Sequence, residues 1–465
     1  MINEISCFKA YDVRGRIPSE LNEDVAFRIG VGIASFFSAK TVVVGYDVRP
    51  SSLSILNALT KGINSQGAKV FSIGLCGTEE IYFATNHLNT DAGVMITASH
   101  NPADYNGLKI VGKGAKPVSL ESGLGEIKKI ADAATSDLNV EPEIETINLK
   151  HEYIEKLLEF IDLNTIKPMH IVMNAGNGCA GPIVDMLEEK LPITITKIQN
   201  EPDGSFPNGI PNPLLPENRD ITSKAVIENS ADLGIAWDGD FDRCFFFDSN
   251  GDFIENYYLI GLLSEQLLKQ SPGDSIVHDP RLVWNTIEEV NRFGGIPTIS
   301  KSGHSFIKEV MRENDSIYGG EMSGHHYFRD FYYSDSGMIP WLLLIENVSA
   351  CGSSLTELVK DRINKFPVSG EINRTVSNPE ELLERVKDHY LSDDPEIESL
   401  DGYSFDFGEW RFNLRMSNTE PLVRLNVESR DDVELMSSKT EEVLNLIEDL
   451  GSVSYTHLTL PTNRE

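Results

Sequence analysis

The feature that most constrains the fold of this chain is a regular alternation of short apolar runs with segments of helical periodicity. Thr41–Tyr46, residues 68–73 and Ala92–Ile96 are typical of buried strands, and a helix is predicted over residues 51–66. Strands that alternate with helices in this way indicate parallel βαβ units. The chain is therefore predicted to have an α/β fold.

The same order of elements begins again near residue 150 and once more after residue 248. Helices are predicted over 151–161, 181–190, 257–269 and 284–293, and strands over 170–173, 193–198, 233–237, 275–278, 298–300 and 316–318. From about residue 367, helical segments (380–390 and 433–450) flank strand-like ones (410–414 and 423–427). We therefore predict three similar α/β domains with mixed sheets over 1–148, 149–252 and 253–366, and a smaller α+β C-terminal domain over 367–453. Residues 454–465 continue no amphipathic pattern, and we expect a disordered or artefactual tail.

The charge of the chain restricts its partners. Its formal net charge is −32, and so acidic a surface repels nucleic acid and anionic lipid. An anionic substrate would need its own local cluster of arginine and lysine. The five cysteines form no C-x-x-C pair, and the N-terminus has no apolar leader segment. We therefore expect a cytoplasmic protein with reduced thiols that binds neither nucleic acid nor membrane.

A serine follows the predicted strand Ala92–Ile96, in the segment TASHNP (residues 97–102). Ser99 and the adjacent His100 can serve as a nucleophile and its base, although Ser, Asn and Pro together are also ordinary turn residues. Lys109, ten residues later, can neutralise a phosphoryl group, act as a base if its pKa is depressed, or be a solvated surface lysine.

Three carboxylates follow the predicted strand at 233–237, in the segment DGDFDR (residues 238–243). In extended backbone, Asp238, Asp240 and Asp242 would point to one side. Carboxylates this close need a cation between them, and oxygen ligands suit Mg²⁺. An EF-hand loop would need Gly and Glu where this chain has Arg243 and Ser249, so that alternative fails. An acidic turn on an acidic protein is the other interpretation.

Three further segments contain residues that suit binding. GNGCAG (176–181) matches G-x-G-x-x-G, which is found at dinucleotide sites but also permits a tight strand-to-helix turn. In GGEMSGHH (319–326), Glu321, Ser323 and His325 alternate and could meet sugar hydroxyls, or the segment could be a glycine-rich turn. In RMSNTEPLVR (415–424), two arginines bracket Ser417, which suits a phosphate dianion or pairing with surface acids.

Taken together, and with FKAYDVRG (8–15) and GYDVRPSS (45–52), these segments resemble the α-D-phosphohexomutase superfamily over roughly residues 4–450. Residues 77–85, 202–217, 278–286 and 322–343 are most similar to the bacterial phosphomannomutases of the GDP-mannose pathway. Many superfamily members have proline in place of Glu79 and histidine in place of Gly209. The resemblance implies four domains around a central cleft, in agreement with the pattern of predicted elements.

The resemblance also implies roles for the candidate residues. Ser99 would carry a phosphoryl group, one oxygen of which would join Asp238, Asp240 and Asp242 around one Mg²⁺ per chain. His100 or Lys109 would transfer protons, a choice that the sequence leaves open. The other implied site residues are Arg14 and Arg243 around the transferred group, Tyr11, Arg281, His304, Glu321, Ser323 and His325 at the sugar, and Arg415, Ser417, Asn418, Thr419 and Arg424 at the phosphate.

The activity that the resemblance implies is an isomerase that transfers a phosphoryl group within its substrate. We expect interconversion of mannose 6-phosphate and mannose 1-phosphate through a hexose 1,6-bisphosphate, which would also act as an activator. A phosphoglucomutase or dual-specificity mutase is the close alternative. A metal-dependent phosphatase and a nicotinamide-dependent oxidoreductase are the more distant ones. Sugar phosphates are the expected partners, and either a monomer or a homodimer is compatible with the sequence.

Overall fold

The computed structural model describes residues 4–417 and 421–451, and the elements of its first 146 residues surround one mixed sheet. These elements are β1 (Val13–Arg16), α1 (Glu23–Phe36), β2 (Thr41–Tyr46), α2 (Ser52–Ser65), β3 (Lys69–Leu75), α3 (Thr78–His87), β4 (Ala92–Ile96), β5 (Tyr105–Gly112), β6 (Lys116–Pro117), α4 (Gly125–Ala133) and β7 (Ile144–Thr146). The strand order is β1-β5-β4-β2-β3-β7, and β6 pairs with β5. The predicted helix over 51–66 is α2, and the predicted strand over 68–73 is β3.

The next two sheets repeat this arrangement. The second group contains α5 (Lys150–Leu158), β8 (His170–Asn174), α6 (Gly181–Glu188), β9 (Thr194–Ile198), α7 (Asp220–Glu228), β10 (Leu233–Trp237), β11 (Cys244–Phe247) and β12 (Phe253–Ile254). The third contains α8 (Asn256–Gln270), β13 (Ser275–His278), α9 (Trp284–Arg292), β14 (Ile296–Ile299), α10 (His304–Asn314), β15 (Tyr318–Gly320), β16 (His326–Phe328), β17 (Ser334–Asp335), α11 (Ile339–Cys351) and α12 (Leu355–Lys365). The strand orders are β12-β11-β10-β8-β9 and β14-β13-β15-β16-β17.

All three sheets share one plan: a run of parallel strands continues into an antiparallel edge. The parallel sets are β7-β3-β2-β4, β9-β8-β10 and β14-β13-β15, and the last strand of each pairs antiparallel with the next strand in sequence. The strand at this junction is therefore β4, β10 or β15. Each junction strand is followed by one of the predicted functional segments: TASHNP, DGDFDR or GEMSGHH. The three segments consequently occupy equivalent positions in three similar domains.

The C-terminal domain is different, because its sheet is wholly antiparallel. It contains β18 (Ile372–Thr375), α13 (Pro379–Tyr390), β19 (Glu396–Glu398), β20 (Tyr403–Asp406), β21 (Trp410–Met416), β22 (Leu422–Ser429) and α14 (Val433–Leu450). The strand order is β18-β22-β21-β20-β19. Its apolar core is a cluster separate from those of the other domains, one of which runs continuously from the first domain to the third. The fold is thus the predicted three α/β domains with mixed sheets and a smaller α+β domain.

Polar contacts join the C-terminal domain to the third domain. Arg411 donates to the backbone carbonyls of Pro280 and Arg281 at 3.1 Å, and the Trp284 indole N–H donates to Asp406 at 3.1 Å. Glu428 accepts a hydrogen bond from the backbone N–H of Val283 at 2.8 Å. These contacts bring the end of β13 next to β21 and β22, which carry Arg415 and Arg424.

Two predicted strands of the third domain differ in their limits. The strand expected to begin after Pro297 contains this residue, because β14 lies at the edge of its sheet, where a residue without an N–H group is tolerated. The strand expected over 316–318 is Tyr318–Gly320 instead. Both differences leave the order of elements unchanged.

Within the described residues, no single helix is long and apolar enough to cross a membrane. The bent pair α11 and α12 passes the same test by length and composition only. Helix α11 lies in the protein core, where most of its side chains are buried.

Candidate active site

Two of the equivalent loops, one each from the first and second domains, meet at Ser99. We call residues 97–104 the serine loop, 238–243 the acidic loop and 321–325 the glutamate loop. The Ser99 hydroxyl donates to Asp238 Oδ2 at 2.7 Å and lies 2.9 Å from His100 Nδ1. Ser99 is only 4% exposed, and Asp238 is fully buried. The nucleophile candidate and the first carboxylate are therefore in direct contact although 139 residues separate them.

A buried arginine holds the serine loop in shape. The guanidinium of Arg49 donates to the backbone carbonyls of Ser99, Asn101, Pro102 and Tyr105 at 2.6–3.0 Å. Ser99 itself has φ 48°, in the left-handed region that costs a non-glycine residue free energy. Arg49 lies in the GYDVRPSS segment, which contributes to the family resemblance. The sequence does not indicate that this arginine binds the four carbonyls, because only the fold brings them together.

Arg243 connects the carboxylate and the imidazole at Ser99. It donates to Asp238 Oδ2 at 2.8 and 2.9 Å, and one of its N–H groups lies 2.6 Å from His100 Nδ1. Burial, followed by the positive charges of Arg243 and Arg14, lowers the pKa of His100 well below its usual range. His100 is therefore neutral, with Nδ1 as a hydrogen-bond acceptor.

The acidic loop brings its carboxylates together by a turn and not by extended backbone. Phe241 has φ 44°, and its N–H donates to the Asp238 carbonyl at 3.1 Å, so the predicted alternation along an extended segment is wrong. The Phe241 ring packs against Gly77, where a Cβ would lie 2.2 Å from it. The three carboxylates nevertheless converge, with ligand atoms within 4.8 Å of one another. Tertiary packing of one phenylalanine forms the turn.

The residues of the acidic loop fit a divalent cation. Asp240 Oδ1 and Asp242 Oδ1 are buried and accept no hydrogen bond, which is costly for a carboxylate oxygen. Three buried carboxylates also supply the hard oxygen ligands that Mg²⁺ prefers. The Thr78 hydroxyl donates to Asp240 Oδ2 at 2.6 Å and orients that carboxylate from the start of α3. The loop is thus a candidate metal site.

Lys109, on β5, lies against the same carboxylates. Its ammonium group is 2.7 Å from Asp240 Oδ2 and also bonds Asp242. Burial alone would lower the pKa of Lys109, but Asp240 and Asp242 outweigh it and raise that pKa. Lys109 is therefore a fixed cation beside the acidic loop and not a solvated surface lysine.

The glutamate loop connects to the acidic loop through His325. The imidazole has Nε2 3.6 Å from Asp242 Oδ1 and Nδ1 3.5 Å from Glu321 Oε2, and Nδ1 lies 2.9 Å from the Ser323 hydroxyl. Burial opposes its protonation, but Asp242 and Glu321 raise the pKa of His325 to about 9. Glu321 is held by the Gly303 N–H at 2.8 Å and the Tyr327 hydroxyl at 2.6 Å.

Tyr11 and Arg14 come from the N-terminal segment and lie at two different places. The Tyr11 ring makes an edge contact with the His304 imidazole at 5.7 Å, so it faces the third domain at the start of α10. Arg14 donates to Asn101 Oδ1 at 2.6 Å and to Asp12, beside the serine loop. Burial, followed by the charge of Lys308, lowers the pKa of His304 to about 4.

Three predicted arginines meet at a glutamate that the sequence did not indicate. Glu371 lies 3.0 Å from Arg415 and 3.3 Å from both Arg281 and Arg424. Burial opposes ionisation of this glutamate, but Arg281 and Arg415 lower the pKa of Glu371 to about 2. No local motif distinguishes Glu371, because its partners are up to 90 residues away in the sequence. Arg281 also pairs with Asp279 at 2.6 Å and lies 3.5 Å from Glu321, so it links the glutamate loop to the other arginines.

The remaining phosphate-binding candidates are described only in part. The Ser417 backbone N–H donates to the Leu422 carbonyl at 2.9 Å, at the end of β21. Asn418 and Thr419 lie outside the described residues, and so does the predicted tail, residues 454–465.

The glycine motif at 176–181 makes close backbone contacts. A Cβ at Gly178 would lie 2.6 Å from the Gly239 carbonyl, and one at Gly181 would lie 1.8 Å from the Asn200 carbonyl. The Cys179 N–H donates to the same Gly239 carbonyl at 3.0 Å. The motif therefore packs against the backbone of the acidic loop, which favours the turn interpretation over a dinucleotide site.

Comparison with known protein families covers nearly the whole chain. Residues 6–137, 151–251 and 255–366 match the models of phosphoglucomutase/phosphomannomutase alpha/beta/alpha domains I, II and III. Residues 371–444 match the model of the phosphoglucomutase/phosphomannomutase C-terminal domain.

Curated relatives and a solved structure are similar over the same length. A protein of Xanthomonas campestris pv. campestris described as "Phosphohexose mutases" is 56% identical over 95% of this chain and 99% of its own length. A phosphomannomutase of Escherichia coli K12 is 52% identical over 96% of this chain and all of its own length. The crystal structure of a phosphoglucomutase/phosphomannomutase family protein of Burkholderia thailandensis has a TM-score of 0.86 and 29% identity, covering 97% of this chain and 98% of that one.

Proposed function

Since this chain belongs to the phosphoglucomutase/phosphomannomutase family, we propose that it is a phosphomannomutase, which interconverts mannose 6-phosphate and mannose 1-phosphate. Relatives about half identical over their whole length are named phosphomannomutases. The single observation that carries the proposal is the contact of Ser99 with Asp238, which joins a nucleophile to a candidate metal site. The activity would supply mannose 1-phosphate for GDP-mannose synthesis.

In the proposed reaction, Ser99 begins as a phosphoserine. The bond between phosphorus and Ser99 Oγ breaks as a bond forms to O1 of mannose 6-phosphate, the O1 proton passes to a base, and Ser99 regains a hydroxyl proton. The resulting mannose 1,6-bisphosphate then reorients. In the second half, the bond from phosphorus to O6 breaks, Ser99 Oγ is phosphorylated again, and its proton passes to O6. Both transfers depend mainly on positioning and charge neutralisation.

The residues around Ser99 suit these tasks. Arg243 is a buried cation and Lys109 a half-buried one, both within hydrogen-bond distance of the acidic loop, and Arg14 bonds the serine loop. They would surround the transferred phosphoryl group and offset its charge. His100 and Lys109 are the two candidates for proton transfer, and the lowered pKa of His100 keeps it neutral while the raised pKa of Lys109 keeps it charged.

Asp238, Asp240 and Asp242, with one oxygen of the Ser99 phosphoryl group, would hold one Mg²⁺ per chain. The bound cation would supply further neutralisation of charge on the phosphoryl group. Hexose 1,6-bisphosphate would serve as an activator by phosphorylating Ser99. Removal of divalent cations with a chelator should therefore abolish turnover, and added Mg²⁺ should restore it.

The sugar would bind at the glutamate loop. Glu321, Ser323 and His325 offer a carboxylate, a hydroxyl and an imidazole to the sugar hydroxyls, and Tyr11 and His304 would contact the same sugar. Arg281, Arg415 and Arg424, together with Ser417, Asn418 and Thr419, would bind the phosphate that is not being transferred. These arginines would also provide the local positive charge that an anionic substrate needs on a protein with a net charge of −32.

A second candidate function is a dual-specificity phosphohexomutase. It is favoured by the relative from Xanthomonas campestris pv. campestris, which is 56% identical and whose name refers to hexoses in general. This function would use the same residues and differ only in sugar preference.

A rate assay tests the proposal. Turnover of mannose 1-phosphate and glucose 1-phosphate would be compared with Mg²⁺ and a trace of hexose 1,6-bisphosphate, using Ser99→Ala and Asp240→Ala as controls. We expect faster turnover of mannose 1-phosphate and a loss of several kcal/mol of transition-state stabilisation in each variant. Equal or reversed sugar preference would favour the second candidate. An active Ser99→Ala enzyme would contradict the mechanism.

A further inference from the structure

An ion pair with almost no solvent contact lies behind the glutamate loop. The side chains of Lys308 and Asp335 are 0% and 2% exposed and form an ion pair. The ammonium group also lies 4.1 Å from the Tyr82 ring centroid. Lysine is almost never buried to this extent, and removing two charges from water costs several kcal/mol per ion. Such a pair is weak evidence for stability, and the mechanism proposed above makes no use of it.

The position of Asp335 relates the pair to the site. In the register of β16 and β17, Asp335 is opposite Tyr327, whose hydroxyl donates to Glu321. Asp335 also offers a ligand atom within 4.8 Å of those of Asp242 and His325. The His325 imidazole, which lies between Asp242 and Glu321, is thus also next to a third carboxylate, that of Asp335.

Lys308 controls the electrostatic effect of Asp335 on its neighbours. A charged, unpaired Asp335 would attract His325 away from Asp242 and Glu321, and it would repel Asp242. Pairing with Lys308 neutralises Asp335. The ring of Tyr82, on α3 of the first domain, also packs against the ammonium group.

We propose that Lys308 and Asp335 form a positioning pair that holds His325 between Asp242 and Glu321, and so fixes the glutamate loop relative to the acidic loop. The pair contacts no reacting group and acts through His325. The inference rests on the proposed function for the roles of the two loops, but the placement of His325 can be measured separately.

The test replaces both charges with apolar groups in Lys308→Met/Asp335→Leu. Replacing a whole buried pair in this way is often neutral for stability, whereas removing one partner leaves an unpaired charge. We expect kcat to fall roughly 10–100-fold, the range observed for groups that orient metal ligands, with a smaller change in KM. The control is Arg362→Met/Glu289→Leu, which removes a 2.7 Å ion pair between α12 and α9 together with the hydrogen bonds of Arg362 to Asn285 and Glu288. Its kcat should stay within about twofold of the unaltered protein.

A double-mutant cycle tests whether the pair acts through His325. In a His325→Ala background, removing the pair should lower kcat by less than about twofold, because the residue that it positions is gone. An equal fall in both backgrounds, or no fall in the unaltered background, would overturn the proposal.

Histidine side-chain ¹⁵N resonances provide a readout that does not depend on activity. In metal-free protein, the His325 resonances should shift in Lys308→Met/Asp335→Leu and stay in place in the control. Unmoved His325 resonances would overturn the proposal. If these resonances shift but the unaltered protein has no mutase activity, only the proposed function is contradicted. If Lys308→Met/Asp335→Leu fails to fold, Lys308→Gln/Asp335→Asn replaces it in the kinetic and the resonance measurements. Failure of both variants to fold would assign the pair to stability and overturn its positioning role.

Discussion

Single residues in this protein acquire their charge state from partners that are far away in the sequence. Glu371 is the clearest example, since Arg281, Arg415 and Arg424 all converge on it. Its pKa of about 2 means that the folded protein favours the carboxylate more strongly than the unfolded chain does. The associated stability is present above the unfolded pKa of about 4.5 and is lost as the pH falls toward 2.

Glu371→Gln should therefore flatten the acid side of the stability profile. Between pH 7 and pH 4, the unaltered protein should lose about 1 kcal/mol more of its free energy of unfolding than the variant, because the unfolded Glu371 takes up a proton in this range. Urea unfolding at the two pH values measures the difference. Glu145→Gln, which removes an exposed carboxylate from β7, is the control and should follow the unaltered profile. The prediction is wrong if Glu371→Gln follows it too.

At the scale of elements, the site depends on three equivalent junctions between parallel and antiparallel strands. Strands β4, β10 and β15 end at the serine, acidic and glutamate loops, respectively. The carboxyl ends of parallel strands lie at one edge of a sheet, a common place for binding residues. Each loop is then supported by a neighbouring element: Arg49 for the serine loop, the glycine turn at Gly178 for the acidic loop, and Tyr327 for the glutamate loop.

Gly178→Ala should displace the acidic loop, because the new methyl group would lie 2.6 Å from the Gly239 carbonyl. We expect kcat to fall by about 10- to 100-fold and the free energy of unfolding by about 1–3 kcal/mol. Steady-state kinetics and urea unfolding measure the two effects.

Gly209→Ala is the matched control for the same substitution. Gly209 has φ 91° with no atom within 4 Å of a new Cβ, so alanine should cost about 1 kcal/mol of stability from backbone strain alone. Its kcat should remain within about twofold of the unaltered protein. If both variants lose activity equally, the close contact at Gly178 is not what positions the acidic loop.

At the scale of the whole molecule, one buried carboxyl group joins three domains. Glu79, on α3, accepts hydrogen bonds from the Tyr153 hydroxyl of the second domain and from Ser336, Gly337 and Met338 of the third. Burial raises the pKa of Glu79 to about 8, although these donors oppose the shift. The sequence marks this position only as one where many members of the superfamily that it resembles have proline.

Glu79→Ala should weaken the packing of all three α/β domains, because it leaves buried donors on two of them without an acceptor. We expect the free energy of unfolding to fall by about 3 kcal/mol. Thermal or urea unfolding measures the loss, and limited proteolysis near residues 148–150 should be faster. Tyr153→Phe removes one donor of the four and should cost about 1 kcal/mol. If the two variants cost the same, Glu79 does not act as the shared acceptor.

The sequence by itself determined the order of elements and the candidate residues of the site. The strands Thr41–Tyr46, Ala92–Ile96 and Leu233–Trp237 have the limits that were predicted, because a run of apolar residues followed by a polar turn defines a buried strand locally. Residue types and spacing also marked Ser99 and Asp238, Asp240 and Asp242 as candidates, and the resemblance to the superfamily supplied the roles expected of them.

Tertiary structure decided how those residues meet. The acidic loop is a turn at Phe241 because that ring packs against Gly77, in another domain. The local sequence does not indicate the partners of Glu371, of Glu79 or of the Lys308–Asp335 pair, since each acquires them through contacts between distant segments. Hydrophobic periodicity reports which face of an element is buried, but electrostatic partners depend on distances in space, which only the assembled domains fix.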